Sequence, residues 1–94
     1  MEFCIMPKDE MWATERFEGS HRHEVFGGNP NRQHSIEDGL VIFLTPEMHN
    51  MSNFGIHYNQ AFMDYAHVVG QRAYMEYYNK TEDEFRQRYG KSYL

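Results

Sequence analysis

The sequence predicts an α+β fold: a short antiparallel β-hairpin with helices packed on one side, in the order β-β-α followed by two more helices. Three observations predict it. Residues 22–26 (RHEVF) and 40–44 (LVIFL) are short strand-like runs. Phe62, Tyr65, Ala66, Val69, Ala73 and Tyr77 recur at helical spacing. Thr81-Glu82-Asp83-Glu84 is a capping-box signature, and Gly90 is the stop of the helix it opens.

Residues 1–20 carry no clear period. Residues 3–6 (FCIM) predict a short strand ended by Pro7, and Glu18-Gly19-Ser20 a turn. The strand over residues 22–26 is stopped by Gly27-Gly28, and Asn29-Pro30-Asn31 is loop chemistry. Residues 40–44, β-branched and apolar, form the clearest strand. The two strands are expected to pair across a long polar loop. Thr45 then serves as N-cap and Pro46 as first residue of a short helix over residues 46–51, ending near Asn53-Phe54-Gly55. A longer helix begins after Asn59. Gly70 inside it costs about 1 kcal/mol relative to alanine, which points to close packing there.

Ninety-four residues make one domain with a modest core, and 16% aromatic content means that large side chains supply much of the burial. No apolar run approaches the roughly 20 residues that span a bilayer. The first residues, MEFCIMPKDE, are acidic and lack the basic-then-apolar order of a secretory signal. A single cysteine, Cys4, excludes an intrachain disulfide framework, so a cytoplasmic setting is expected.

The net charge of −5 argues against a dedicated DNA-binding module, because such modules are usually basic. Locally the balance differs. Lys80, Arg86, Arg88 and Lys91 cluster near the C-terminus, where they face DNA phosphates or balance a helix dipole. Arg16, Arg22 and Arg32 flank the histidine-rich region. The acidic residues of 9–18, 37–38 and 82–84 read as a solvated surface.

Five of the six histidines lie in residues 21–59. His23 and Glu24 are neighbours on the first strand. A regular strand points them to opposite faces, but a twist near Gly27-Gly28 can turn both toward one site. His49 falls on the short helix and His57 follows Gly55. A hairpin histidine and a helix histidine can hold one divalent cation, with positions left for water and a phosphate oxygen. Such a site serves metal-assisted hydrolysis, in which the cation stabilises the leaving oxyanion and a neighbouring base activates water. Spacing alone favours surface or core-satisfied histidines over a metal site.

The segments RHEVFGG, NRQHSIEDGLV, TPEMHNMSN and GIHYN, in this order and spacing, resemble the HNH endonuclease superfamily, whose catalytic unit is a ββα-metal motif. The likeness is greatest to the small phage-encoded HNH-type, recombination-nuclease-like proteins of Firmicutes phages. The tail YNKTEDEFRQRYGKSYL resembles the end of those proteins, so the resemblance covers about residues 20–94. It implies a single HNH-like domain over residues 1–94: an N-terminal segment (1–20), a ββα-metal core (21–59) and C-terminal helices (60–94). It also implies a phage-encoded, divalent-metal-dependent endonuclease (Mg, Mn, Ni or Zn) that hydrolyses DNA phosphodiesters in the cytoplasm of a bacterial host.

On the matching positions, His23 is implied as a metal ligand and Glu24 stands where the family places its general base. A carboxylate, ordinarily near pKa 4.3, is a poor base unless burial raises it, so the roles could be reversed, with Glu24 a ligand and His23 the base. His49 completes the metal site, and His57 supports or ligates the ion. Arg22 or Arg32 would neutralise the scissile phosphate. His21, two residues before His23 on the same strand face, is an auxiliary ligand candidate.

The chain departs from the family in three ways. Asp38-Gly39 stands where an asparagine should precede the second strand, with Asn31 or His34 as substitutes. Of four structural-zinc cysteine or histidine positions only Cys4 is kept; Pro7, Thr45 and Met48 occupy the others. That zinc is expected to be absent, with Phe3, Trp12, Phe17 and Phe43 packing in its place and Cys4 a buried apolar residue. Glu24 at the base position is the third departure. Together with the acidic charge, these support an alternative: a catalytically degenerate HNH-fold module that binds a protein partner, such as a phage inhibitor of a host defence nuclease. His34 and His67 read as exposed or core-satisfied, Met48 and Met51 as core, and Tyr74, Tyr77 and Tyr78 as helix packing rather than base-stacking residues.

Overall fold

In the computed structural model, which describes residues 3–11, 14–51 and 60–94, strand β1 (His21–Glu24) pairs antiparallel with β2 (Val41–Leu44). The register sets His21 opposite Leu44 and His23 opposite Ile42. All four β2 residues are buried. Leu40, Ile42 and Leu44 belong to the main core. Val41 and Phe43 point the other way. Burial on both faces is why this strand reads as an unbroken apolar run.

Between the strands stands a helix, α1 (Asn31–Asp38), where the sequence predicts a polar loop. The prediction fails because NRQHSIED has a single apolar residue, Ile36, and so no apolar stripe. The helix is anchored by a polar side chain instead. Ser35, fully buried, donates its hydroxyl to the Phe26 carbonyl at 2.8 Å and accepts the Phe26 N–H at 3.1 Å. Gly39, at φ 78°, closes the helix in a Schellman motif: its N–H reaches Ile36 O at 3.4 Å, and Leu40 N–H reaches Ser35 O at 2.8 Å.

After β2 the expected short helix is a single π-helical turn, Glu47–Met51. Thr45 caps it as predicted, its hydroxyl accepting the Met48 N–H at 3.2 Å. Helix α2 (Gln60–Tyr78) follows, with Ala66, Val69, Gly70, Gln71 and Tyr74 buried. Tyr65 and Tyr77, expected on the packed face, are instead exposed, because the buried stripe lies between them and is centred on Gly70. A Cβ on Gly70 would stand 3.0 Å from Val25 Cγ1 and 3.2 Å from the Phe26 ring, which is the close approach the glycine permits.

Helix α3 (Glu82–Tyr89) starts with both hydrogen bonds of the predicted capping box, and Gly90 (φ 95°) ends it. Phe26 sits at the hub, with ring centroids 5.2 Å from Phe85 and 4.8 Å from Tyr89. Fully burying one such ring contributes about 1.5–3 kcal/mol. Asp38, at the end of α1, binds Arg88 of α3 through both carboxylate oxygens (2.6 and 3.0 Å) and accepts the Tyr89 hydroxyl at 2.6 Å. The same contact with Asp38, with burial the larger cause, holds the Tyr89 phenol well above its ordinary pKa, so it remains a donor.

Residues 3–6 are not a strand. They run beside the start of β2, with one backbone bond from Ile5 N–H to Gly39 O (2.8 Å) and the Cys4 thiol donating to Val41 O (3.0 Å). Burial pushes the Cys4 pKa up, which keeps it a thiol. Of the aromatic residues expected in place of zinc, Phe43 is buried with the Arg16 guanidinium 5.3 Å above its ring. Phe3 and Phe17 are a little under half exposed, and Trp12 lies outside the described residues. Among the described residues no helix is long and apolar enough to cross a membrane.

Candidate active site

The hairpin register builds the histidine cluster. Leu44, opposite His21, is the last residue of β2, so the π-helical turn that follows emerges beside His21 and returns His49 onto β1. The Nδ1 atoms of His21 and His49 are 3.3 Å apart, with the rings at 87°. The buried ring of His23 stands 5.3 Å from that of His49 at 70°. Of the three metal ligands expected from the sequence, His23 and His49 are therefore neighbours, and His57 lies outside the described residues. His21, which the sequence marks only as auxiliary, makes a direct nitrogen-to-nitrogen contact with His49. Its signal was strand parity with His23; its partner depended on where the chain returned after β2.

Two nitrogens on one tetrahedral ion at about 2.0–2.1 Å lie about 3.3–3.4 Å apart. The His21–His49 separation matches one edge of that tetrahedron, and without an ion it serves an imidazole–imidazole hydrogen bond. Among the described residues no three His, Cys, Asp or Glu side chains are grouped to hold a metal. The pair thus fits two positions of a coordination sphere.

Beside this cluster opens a cleft of about 840 Å³. His23 and His49 line it, together with Arg16, Arg22, Glu24 and Arg32. Strand parity places His21 and His23 on one face of β1 and Arg22 and Glu24 on the other. His23 from the first face and Arg22 and Glu24 from the second line the cleft. Arg32 reaches it from α1, which Ser35 pins to the end of β1. The Glu24 carboxylate is held between two guanidinium groups: Arg32 Nε at 2.8 Å and Arg22 Nε at 3.4 Å. Among the described residues that line it, three arginines stand with one carboxylate, in a chain of net charge −5.

The C-terminal basic cluster is engaged within the fold. Lys80 faces Glu84, Arg86 faces Glu82 and Asp83, and Arg88 faces Asp38 and Glu37. Lys91 lies over the Tyr93 ring. The far wall of the cleft includes His67 and Tyr93, which sequence reasoning did not place there. His67 stacks on Phe26 (5.3 Å, 15°) and packs on Tyr93 (4.5 Å), and burial lowers its pKa, so it is a neutral packing residue. Tyr93 is fixed by Gln71, whose buried side chain accepts the Tyr93 N–H at 2.6 Å and donates to Ser92 Oγ at 3.0 Å.

None of the three residues considered for the missing asparagine lines the cleft. Asp38 is taken by Arg88 and Tyr89, Asn31 donates to the Tyr89 carbonyl at 2.8 Å, and His34 packs edge-on to the Tyr89 ring. All three join α1 to α3. In comparisons with protein-family models, with curated proteins and with solved structures, nothing matches this chain.

Proposed function

We propose that this chain is an HNH-type endonuclease that hydrolyses DNA phosphodiester bonds with a divalent metal ion, on a ββα-metal scaffold of the kind found in small phage nucleases. The observation that carries the reading is the His21–His49 nitrogen pair, at 3.3 Å, beside His23 and an arginine-lined cleft. His21 and His49 would hold the ion, with His57 as the further ligand the family resemblance implies. Two imidazoles suit Zn, Ni or Mn better than Mg, which prefers oxygen donors. A bound ion would polarise the phosphate and stabilise the leaving oxyanion.

The chain's own residues do the rest. Arg22, Arg32 and Arg16 receive the phosphodiester, through charge-assisted hydrogen bonds that concentrate where the transition state gains charge. His23 takes the proton of the attacking water. Of the two base candidates it is preferred, because each Glu24 oxygen faces a guanidinium group.

The degenerate, protein-binding reading is favoured by the placement of Asp38, Asn31 and His34, which all serve α3 instead of the cleft. Plasmid nicking separates the two. With Mn²⁺, Ni²⁺, Zn²⁺ or Mg²⁺ the wild type should nick supercoiled DNA. His21→Ala, His23→Ala and His49→Ala should each lose about 100-fold or more, the usual scale for removing a base or a ligand. No nicking with any of the four metals would contradict the nuclease reading.

A further inference from the structure

Among the described residues Glu24 is the one carboxylate lining the cleft, and it sits where an anionic substrate would bind. Its side chain is only 12% exposed, whereas that of its partner Arg32 is 71% exposed. A long, exposed arginine has many rotamers, so something must hold its head group at the cleft. The Glu24 carboxylate does so at 2.8 Å, and at 3.4 Å it also engages Arg22 from its own strand. A carboxylate and a phosphodiester offer a guanidinium group the same thing: two anionic oxygens on one centre.

We propose that Glu24 is an internal stand-in for the substrate phosphate. It keeps Arg22 and Arg32 pre-positioned, and a phosphodiester binds by exchanging with it. This inference rests on the nuclease reading for the identity of the ligand, and it gives Glu24 a task other than proton transfer. The exchange makes binding selective. A lone anion gains little by displacing an attached carboxylate, whereas a polyanion also gains from the neighbouring phosphates along its backbone. It also reconciles an acidic chain with a DNA substrate, since the cleft arginines are shielded until the substrate arrives.

The test is duplex DNA binding in EDTA, read by fluorescence anisotropy across a salt series. Glu24→Gln keeps the side chain's shape and removes its charge. It should bind about three- to tenfold more tightly at low salt, with a salt dependence steeper by about one phosphate contact. Glu15→Gln removes an equal charge from a residue that does not line the cleft and should change affinity less than twofold. With Arg22→Gln and Arg32→Gln also present, the gain from Glu24→Gln should vanish. Should Glu24→Gln fail to fold, Glu24→Asp, one methylene shorter, should show a smaller gain. Unchanged or weaker binding by a folded Glu24 variant, or a gain matched by Glu15→Gln, would overturn the proposal. Nicking by the wild type reports separately on the nuclease reading. If the wild type never nicks but Glu24→Gln gains affinity, the exchange stands and the nuclease reading falls; if the wild type nicks and Glu24→Gln gains nothing, the reverse holds.

Discussion

His21 and His49, 28 positions apart, meet through their Nδ1 atoms at 3.3 Å. The contact follows from the strand register: His21 lies opposite Leu44, Thr45 caps the next turn, and that turn carries His49 back over the strand. Each step depends on short-range structure, so a small chain can form the site without a long-range crossover.

Gly70 shows how closely α2 must approach the end of β1. Gly70→Ala should destabilise the protein by about 1–2 kcal/mol, although alanine is the better helix former by about 1 kcal/mol. The new methyl group would meet the buried side chains of Val25 and Phe26 at 3.0–3.3 Å. Urea unfolding measures this, and a stabilised variant would show that the helix can move away.

The Asp38–Arg88–Tyr89 network should matter for stability and not for chemistry. Asp38→Ala leaves the Tyr89 phenol without its acceptor and the Arg88 guanidinium with Glu37 alone. The expected loss is about 2–4 kcal/mol, set below the value for a fully buried pair because Arg88 is partly exposed. The specific nicking rate of the folded fraction should stay near that of the wild type. A rate loss of 100-fold at full folding would place Asp38 in the catalytic machinery after all.

His67 gives the fold a pH dependence of defined sign. Burial lowers its folded-state pKa below the unfolded value of 6.5, so the unfolded chain binds the proton more readily. Its contribution is complete above pH 6.5 and is lost as pH falls from there toward the folded-state value. Thermal unfolding between pH 7.5 and 5 should show the wild type losing more stability than His67→Gln, which has no imidazole to protonate. Parallel curves for the two proteins would contradict this.

Much of the fold was legible in the sequence because the signals were local. The capping box at Thr81 and Glu84, the Thr45-Pro46 helix start and the glycine at position 70 each act within a few residues or through one close contact. Helix α1 was not legible from periodicity, because its buried anchor is the Ser35 hydroxyl and not an apolar stripe. The punctuation that marks it, Pro30 before and Gly39 after, was present but reads equally as a loop. In the candidate site, His23, His49 and the arginines could be named from the sequence. The pairing of His49 with His21, and the seating of Glu24 between Arg22 and Arg32, depend on strand register and on α1, which no local pattern reveals.

The central claim is that His21 and His49 hold a divalent ion. Calorimetric titration of Zn²⁺ into the wild type and into His21→Ala and His49→Ala tests it most directly. The account predicts one site per chain in the wild type, weakened at least about tenfold in both variants. Equal binding by all three proteins, or no binding by the wild type, would contradict it.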